Sequence, residues 1–281
     1  MIIFRTKSEL ARFASETRRS GKVIGLVPTM GYLHEGHLSL IAEAKRRGAD
    51  EIAVSVFVNP TQFGPNEDFA KYPRDEKADR AKCRKAGATA MFFPTPENMY
   101  APDHSVWVDE EGALSGSLCG ARRPGHFRGV CTVVAKLFNL ACPHLAVFGR
   151  KDFQQAAIIR RMVRDLDFGI DIVVAPIVRE ASGLAMSSRN TYLSDAERES
   201  ALALSRSLKT VKAGAWAPQA RRIRQTLEQS GLKPDYVEAV DSNTLKPVKK
   251  IAAGVTVLLA AYSGKTRLID NAEFTGGRMV L

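Results

Sequence analysis

Short, nearly continuous apolar runs alternate along most of the chain with segments whose apolar residues recur at helical spacing. The runs at 23–27, 52–58, 90–94, 145–148 and 170–177 have strand length. Several are apolar on both faces, as parallel strands covered by helices should be. The segments 8–20, 38–47, 74–86, 129–140 and 153–166, between those runs, read as helices. This order predicts an α/β fold built on a doubly wound, Rossmann-like parallel sheet over residues 1–184. From residue 185 the rhythm changes. Helical patterns at 195–213 and 219–229 precede strand patterns at 235–240, 255–261 and 267–271, which predicts a smaller α+β domain over 185–281.

Ligands of such sheets bind beyond the carboxyl ends of strands, and the loops there carry the candidate chemistry. The run 23–27 passes through Pro28, Thr29, Met30 and Gly31 into His34-Glu35-Gly36-His37. Two histidines three residues apart at a helix start share one face. The free backbone N–H groups and dipole of that start favour a phosphate. A turn with two solvent-facing histidines, or a metal pair, fits the same residues. After 52–58 comes Asn59-Pro60-Thr61-Gln62-Phe63-Gly64. Asn59 and Gln62 offer amides suited to a small polar acid, although Asn, Pro and Gly also make plain turns. Glu67-Asp68 either cap a helix or hold a divalent ion, with capping favoured, and Tyr72-Pro73-Arg74 follows.

Arg122-Arg123-Pro124-Gly125-His126-Phe127-Arg128-Gly129 reads as an anion-facing loop before a helix. Gly149-Arg150-Lys151-Asp152 again links a strand to a helix. Lys151 suits a phosphate, and Asp152 suits a ribose or a helix cap. Gln155 lies at capping-box distance from Asp152. Met186-Ser187-Ser188-Arg189-Asn190 offers two hydroxyls and a guanidinium, a clamp for a polyphosphate or simply a polar linker. Gly264-Lys265-Thr266 imitates the end of a P-loop, but Leu259 stands where the first glycine belongs. The first strand is not followed by G-x-G-x-x-G, which disfavours a dinucleotide site.

The chain has 281 residues, 45% hydrophobic and 25% charged, enough for a substantial core. Its net charge of +11 favours anionic partners. Five of those charges fall in 1–180 and six in 181–281. This even spread, with 7% aromatic residues, counts against a nucleic-acid binder. Cys83, Cys119, Cys131 and Cys142 form no CxxC pair, so a zinc ribbon is disfavoured. Such thiols suit a reducing compartment. Met1-Ile2-Ile3-Phe4-Arg5 is too short for a signal segment, and no apolar run approaches membrane-spanning length. A cytoplasmic protein is expected, with no membrane partner.

The paired H-x-G-H and M-S-S-R stretches resemble the signatures of the HIGH/KMSKS nucleotidylyltransferase superfamily. Taken with Phe57-Val58-Asn59-Pro60-Thr61-Gln62-Phe63, Tyr72-Pro73-Arg74, Arg123-Pro124-Gly125-His126-Phe127-Arg128-Gly129-Val130, Lys136-Leu137-Phe138-Asn139 and Phe148-Gly149-Arg150-Lys151-Asp152-Phe153-Gln154-Gln155, they resemble the pantothenate synthetase family. The resemblance covers about residues 23–195 and resumes at 267–271.

It implies an AMP-forming ligase that joins pantoate to β-alanine through pantoyl adenylate, with ATP as substrate and Mg²⁺. It places Met30, Gly31, Tyr32, Leu33, His34, Glu35, Gly36 and His37 on ATP, with Gly149, Arg150, Lys151, Asp152, Val178, Met186, Ser187, Ser188 and Arg189. His34, His37 and Lys151 are the implied catalytic residues, Gln62 and Gln155 the pantoate contacts, and Gln62 also a β-alanine contact. Asn59 and Tyr72 match positions near the site, and metal ligands are left unassigned. A homodimer is the family expectation, and the small C-terminal domain would act as a lid over the labile adenylate. Two positions depart from the family: Cys119 and Arg150 stand where an acidic residue is common. A nucleotidylyltransferase that keeps its adenylylated or cytidylylated product is the competing enzyme class.

Overall fold

The computed structural model describes residues 1–65 and 67–281. It divides into two compact units, Met1–Arg150 with Gln155–Pro176, and Lys151–Gln154 with Ile177–Leu281. The change of rhythm in the sequence places the break at 184/185. The second unit starts earlier, at Ile177, because 178–186 is a hairpin of its own: Arg179 bridges Ala185, and the Met186 N–H donates to the Val178 carbonyl.

In the first unit the elements run β1 (Ile2–Phe4), α1 (Lys7–Arg19), β2 (Ile24–Thr29), α2 (Glu35–Arg46), β3 (Glu51–Val56), α3 (Glu76–Ala86), β4 (Ala90–Phe92), α4 (Pro96–Met99), α5 (Leu118–Arg122), α6 (His126–Ala141), β5 (Leu145–Gly149), α7 (Phe153–Asp165) and β6 (Asp171–Ala175). The six strands form one parallel sheet in the order β1-β4-β3-β2-β5-β6. The order reverses between β2 and β5, and such a reversal opens a crevice at the strands' carboxyl ends. One face of the sheet packs Val27, Val54, Met91 and Val147 against Leu40, Ile41 and Ala44 of α2 and Cys83 of α3.

The sequence-read helices and long strands are all present, with shifted ends. Asp75 starts α3 at Glu76 because its side chain accepts from the Ala78 N–H. Pro176 follows the end of β6, where a ladder donor would be missing. β1 has three residues, too few for any periodicity to show.

The second unit holds α8 (Asp195–Lys209), β7 (Gly214–Ala215), α9 (Trp216–Gln229), β8 (Lys233–Asp241), β9 (Lys250–Ile251), β10 (Val255–Ser263), β11 (Thr266–Thr275) and β12 (Arg278–Val280). An antiparallel sheet β12-β11-β10-β8 packs Leu259, Ala261, Leu268 and Phe274 against Leu204 and Leu208 of α8 and Ile223 and Leu227 of α9. Ser194 and Glu197 start α8 with a capping box. Gly264 and Lys265 lie in the β10–β11 turn, so the P-loop imitation precedes a strand, not a helix.

Candidate active site

β2 ends at Thr29, and α2 begins six residues later with His34 as its N-cap. His34 Nδ1 accepts from the Gly36 N–H at 3.1 Å, and His37 Nδ1 accepts from the His34 N–H at 3.3 Å. The two imidazoles thus form a reciprocal cap in which histidine replaces the usual Ser/Thr and Glu. Their ring centroids are 4.1 Å apart. A nitrogen that accepts from a backbone N–H carries no proton, so the acceptor roles assign each ring's proton to Nε2. Two Nε2–H donors therefore stand side by side at the positive end of α2.

The loop leading to that cap is held from α3. Asp79, buried to 1% exposure, accepts from the Tyr32 N–H at 2.8 Å and the Leu33 N–H at 2.7 Å. Lys82 Nζ donates to the Leu33 carbonyl at 2.6 Å. Burial pushes the Asp79 carboxyl above its ordinary value, against the pull of those N–H groups and Lys82. Gly31 has φ +87°, and a Cβ there would sit 2.7 Å from Val56 Cγ1, so only glycine fits. Neither Asp79 nor Lys82 belongs to the motifs singled out above; each looks like an ordinary polar residue on an amphipathic helix.

Gln62 closes the 3-10 turn Pro60–Gln62 after β3, and its amide is oriented by a chain of bonds. Asn59, 1% exposed, accepts at Oδ1 from Thr61 Oγ1 and Tyr100 OH. Its Nδ2 donates to the Gly129 carbonyl and to Gln62 Oε1, each at 3.1 Å. That leaves Gln62 Nε2 directed at Met30 Sδ, 3.2 Å away. Asn59 thus orients Gln62 from within the protein. Tyr72 is buried, its ring edge-on to Phe63 at 6.0 Å.

The Arg-Pro-Gly-His-Phe-Arg-Gly stretch serves the same turn. His126 Nε2 lies 2.9 Å from Arg123 Nη1, a donor, so it accepts; Nδ1 then donates to the Gln62 carbonyl at 2.8 Å. Arg123 also makes a two-pronged bond to Glu67 at 2.6 Å. Burial, the largest single influence, pushes the Glu67 carboxyl up, but the bonds and charge of Arg123, the Gly64 N–H and His126 together outweigh it and hold the group below the usual carboxylate value. Glu67 is therefore the partner of Arg123 rather than a helix cap, and Arg123 faces a carboxylate of the protein. Gly129 lies against the turn so closely that a Cβ would overlap the Thr61 carbonyl.

Gly149 ends β5 and Arg150 starts the 3-10 turn Arg150–Asp152; Gln155 is half-buried in the first turn of α7. Cys119 is buried in α5.

In the second unit, Lys151 is half-buried and its Nζ lies 3.3 Å from the exposed Asp152 carboxylate. Val178 and Met186 pair in the hairpin, with Ser187, Ser188 and Arg189 immediately after. Ser187 Oγ caps the 3-10 turn Ser188–Tyr192 by accepting from the Arg189 N–H. The segment is braced by Asn190, which donates to Glu180 and the Ala185 carbonyl, and by Arg198, which pairs with Glu180. Among the described residues no three His, Cys, Asp or Glu side chains cluster as a metal cage would require. Mg²⁺ needs no such cage when phosphates and waters supply most of its ligands.

A family model described as pantoate-beta-alanine ligase matches residues 2–273. The chain is 52% identical over 278 residues to pantothenate synthetase of Thermotoga neapolitana, covering 96% of this chain and 99% of that protein. It is 52% identical over 283 residues to the Myxococcus xanthus protein of the same name, covering 98% and 96%. Crystal structures agree. Pantothenate synthetase from Thermus thermophilus superposes with a TM-score of 0.87 at 42% identity over 97% of this chain and 99% of that one. The Francisella tularensis pantoate-beta-alanine ligase, complexed with beta-gamma ATP and beta-alanine, gives 0.84 at 33% identity over 96% and 97%.

Proposed function

The chain belongs to the pantoate-beta-alanine ligase family, and from that membership we propose how its residues divide the reaction. It is an ATP-dependent ligase that condenses (R)-pantoate with β-alanine to pantothenate through pantoyl adenylate, releasing pyrophosphate and AMP. The pantoate carboxylate attacks the α-phosphorus of ATP as the bond to pyrophosphate breaks. The β-alanine amine then attacks the acyl carbon, AMP leaves with the bonding pair, and the amine sheds a proton. Neither step requires a side-chain nucleophile; both require alignment and charge stabilisation.

The reciprocal histidine cap carries this reading. It supplies two Nε2–H donors and a helix N-terminus where the triphosphate gains charge. In our proposal His34 and His37 bind the phosphates, with Met30, Gly31, Tyr32, Leu33, Glu35 and Gly36 shaping the nucleotide pocket. Lys151 adds a phosphate contact, and Gly149, Arg150, Asp152, Val178, Met186, Ser187, Ser188 and Arg189 contribute to nucleotide binding. Gln62 presents its Nε2 donor to pantoate and later lies near β-alanine, and Gln155 is a second pantoate contact. Asn59 and Tyr72 act behind Gln62. Mg²⁺ would arrive on the triphosphate and neutralise the departing pyrophosphate. We further propose a homodimer, as the sequence resemblance implies, and a reducing, cytoplasmic setting, supported by four cysteines outside any disulfide.

The test is pyrophosphate release with ATP and pantoate alone, followed by addition of β-alanine. One pyrophosphate per site is expected first, with AMP and pantothenate appearing only after the amine is added. Continuous turnover without β-alanine would assign the chain to the enzymes that keep their nucleotidylylated product.

A further inference from the structure

The segment 267–271 belongs to no loop of the proposed site, yet it ends on a buried polar pair. Asp270 and Asn271 are 2% and 1% exposed in the middle of β11. Side chains alternate along a strand. Leu268, Ala272 and Phe274 enter the core of the second unit, so Asn271 points to the opposite face of the sheet. A buried amide must spend its donors on something. Asn271 Nδ2 donates to the backbone carbonyl of Lys151 at 3.0 Å.

The donor itself is fixed. The Asn271 N–H donates to Asp270 Oδ1 at 2.8 Å, and Asp270 takes a bidentate pair from Arg179, both bonds 2.8 Å. Arg179 also donates to the Gly183 carbonyl. The backbone of Lys151 is thereby tied to the rigid centre of a sheet. Its long, flexible side chain starts from an anchored point.

We propose that Asn271 is a positioning residue for Lys151, setting where its ammonium meets the substrate's phosphates. This rests on the phosphate role proposed for Lys151, and the experiment separates the two. Asn271→Asp keeps the shape but replaces the donor with an oxygen that repels the Lys151 carbonyl. Asn271→Ala removes the amide and serves as the second variant. Each is made alone and together with Lys151→Ala. The first half-reaction is followed in single turnover at saturating ATP and pantoate, reading the rate constant and the burst amplitude separately.

Lys151→Ala is expected to slow pyrophosphate release, and each Asn271 variant to slow it by about ten- to a hundredfold, as misplacement of a catalytic group does. Each double variant should be no slower than Lys151→Ala alone, and attack of β-alanine on the bound adenylate should hold its rate. A merely structural asparagine would lower the burst amplitude, by reducing the folded fraction, and leave the rate constant unchanged. That result overturns the inference, as do rate losses that multiply in the double variants. A wild-type rate for Lys151→Ala would instead refute the phosphate role of Lys151 and the positioning role with it.

Discussion

His34 and His37 each close the helix cap through Nδ1, and in the proposed reaction each ring's Nε2–H would serve as a donor to phosphate. The two tasks differ widely in size. Losing a cap costs about 1 kcal/mol, whereas losing a donor that stabilises developing charge costs about a hundred- to a thousandfold in rate. His37→Ala should therefore unfold in urea with a loss near 1 kcal/mol while adenylate formation falls by at least about a hundredfold. Near-normal pyrophosphate release by that variant would remove His37 from the chemistry. Glu67 gives a residue-scale prediction of a different kind. Its folded pKa is lowered: burial raises it, but the bonds and charge of Arg123 with the Gly64 N–H and His126 together lower it more. Stability from the pair is thus fully present above the unfolded glutamate value of about 4.3 and is lost as pH falls through the folded value. Glu67→Gln lacks this contribution. The unfolding free energies of wild type and variant should converge as pH falls below the unfolded glutamate value and through the lower folded one. A gap that stays constant would mean that Glu67 charge does not hold Arg123.

At the scale of elements, the start of α6 against the Pro60–Gln62 turn reverses an ordinary rule. Gly129 lies inside the helix, where glycine to alanine normally gains about 1 kcal/mol. Here the added Cβ would overlap the Thr61 carbonyl and come within 2.7 Å of the Gln62 N. Gly129→Ala should instead destabilise by about 1–3 kcal/mol, as overpacking does, and raise KM for pantoate because Gln62 shifts with the turn. A stabilised variant with unchanged KM would show that the turn yields without cost. Elements of this kind also mark what was legible in the sequence. Helices with an apolar stripe and strands apolar on both faces announced themselves, as did the loops at the carboxyl ends of β2, β3 and β5. The supports behind those loops did not. Asp79 sits 46 residues after Leu33, whose N–H it accepts, and Glu67 pairs with Arg123 across 56 residues. Pairings at such separations are set by strand order, which periodicity does not encode. The motif with Arg123 and His126 read as anion-facing because its partner, Glu67, is remote in sequence.

For the whole molecule, the +11 charge is spread along the chain rather than gathered in a tail. A broad positive field raises the local concentration of anions and steers them to the surface, and salt screens it. The substrates differ in a useful way: ATP is polyanionic, pantoate is a monoanion, and β-alanine is a zwitterion with no net charge. Raising ionic strength from about 0.1 M to about 1 M shortens the screening length from about 10 Å to about 3 Å. KM for ATP should then rise severalfold and KM for pantoate less, while KM for β-alanine stays nearly level. Titrating the three constants in a salt that does not bind ATP or Mg²⁺ measures this directly. Added RNA should not inhibit at moderate salt, since the excess charge is not gathered in one stretch of the sequence and aromatic residues make up only 7% of the chain. If KM for β-alanine climbs as steeply as that for ATP, the salt acts on the folded enzyme and not through its field. If RNA competes, the excess charge is serving a second, polyanionic ligand.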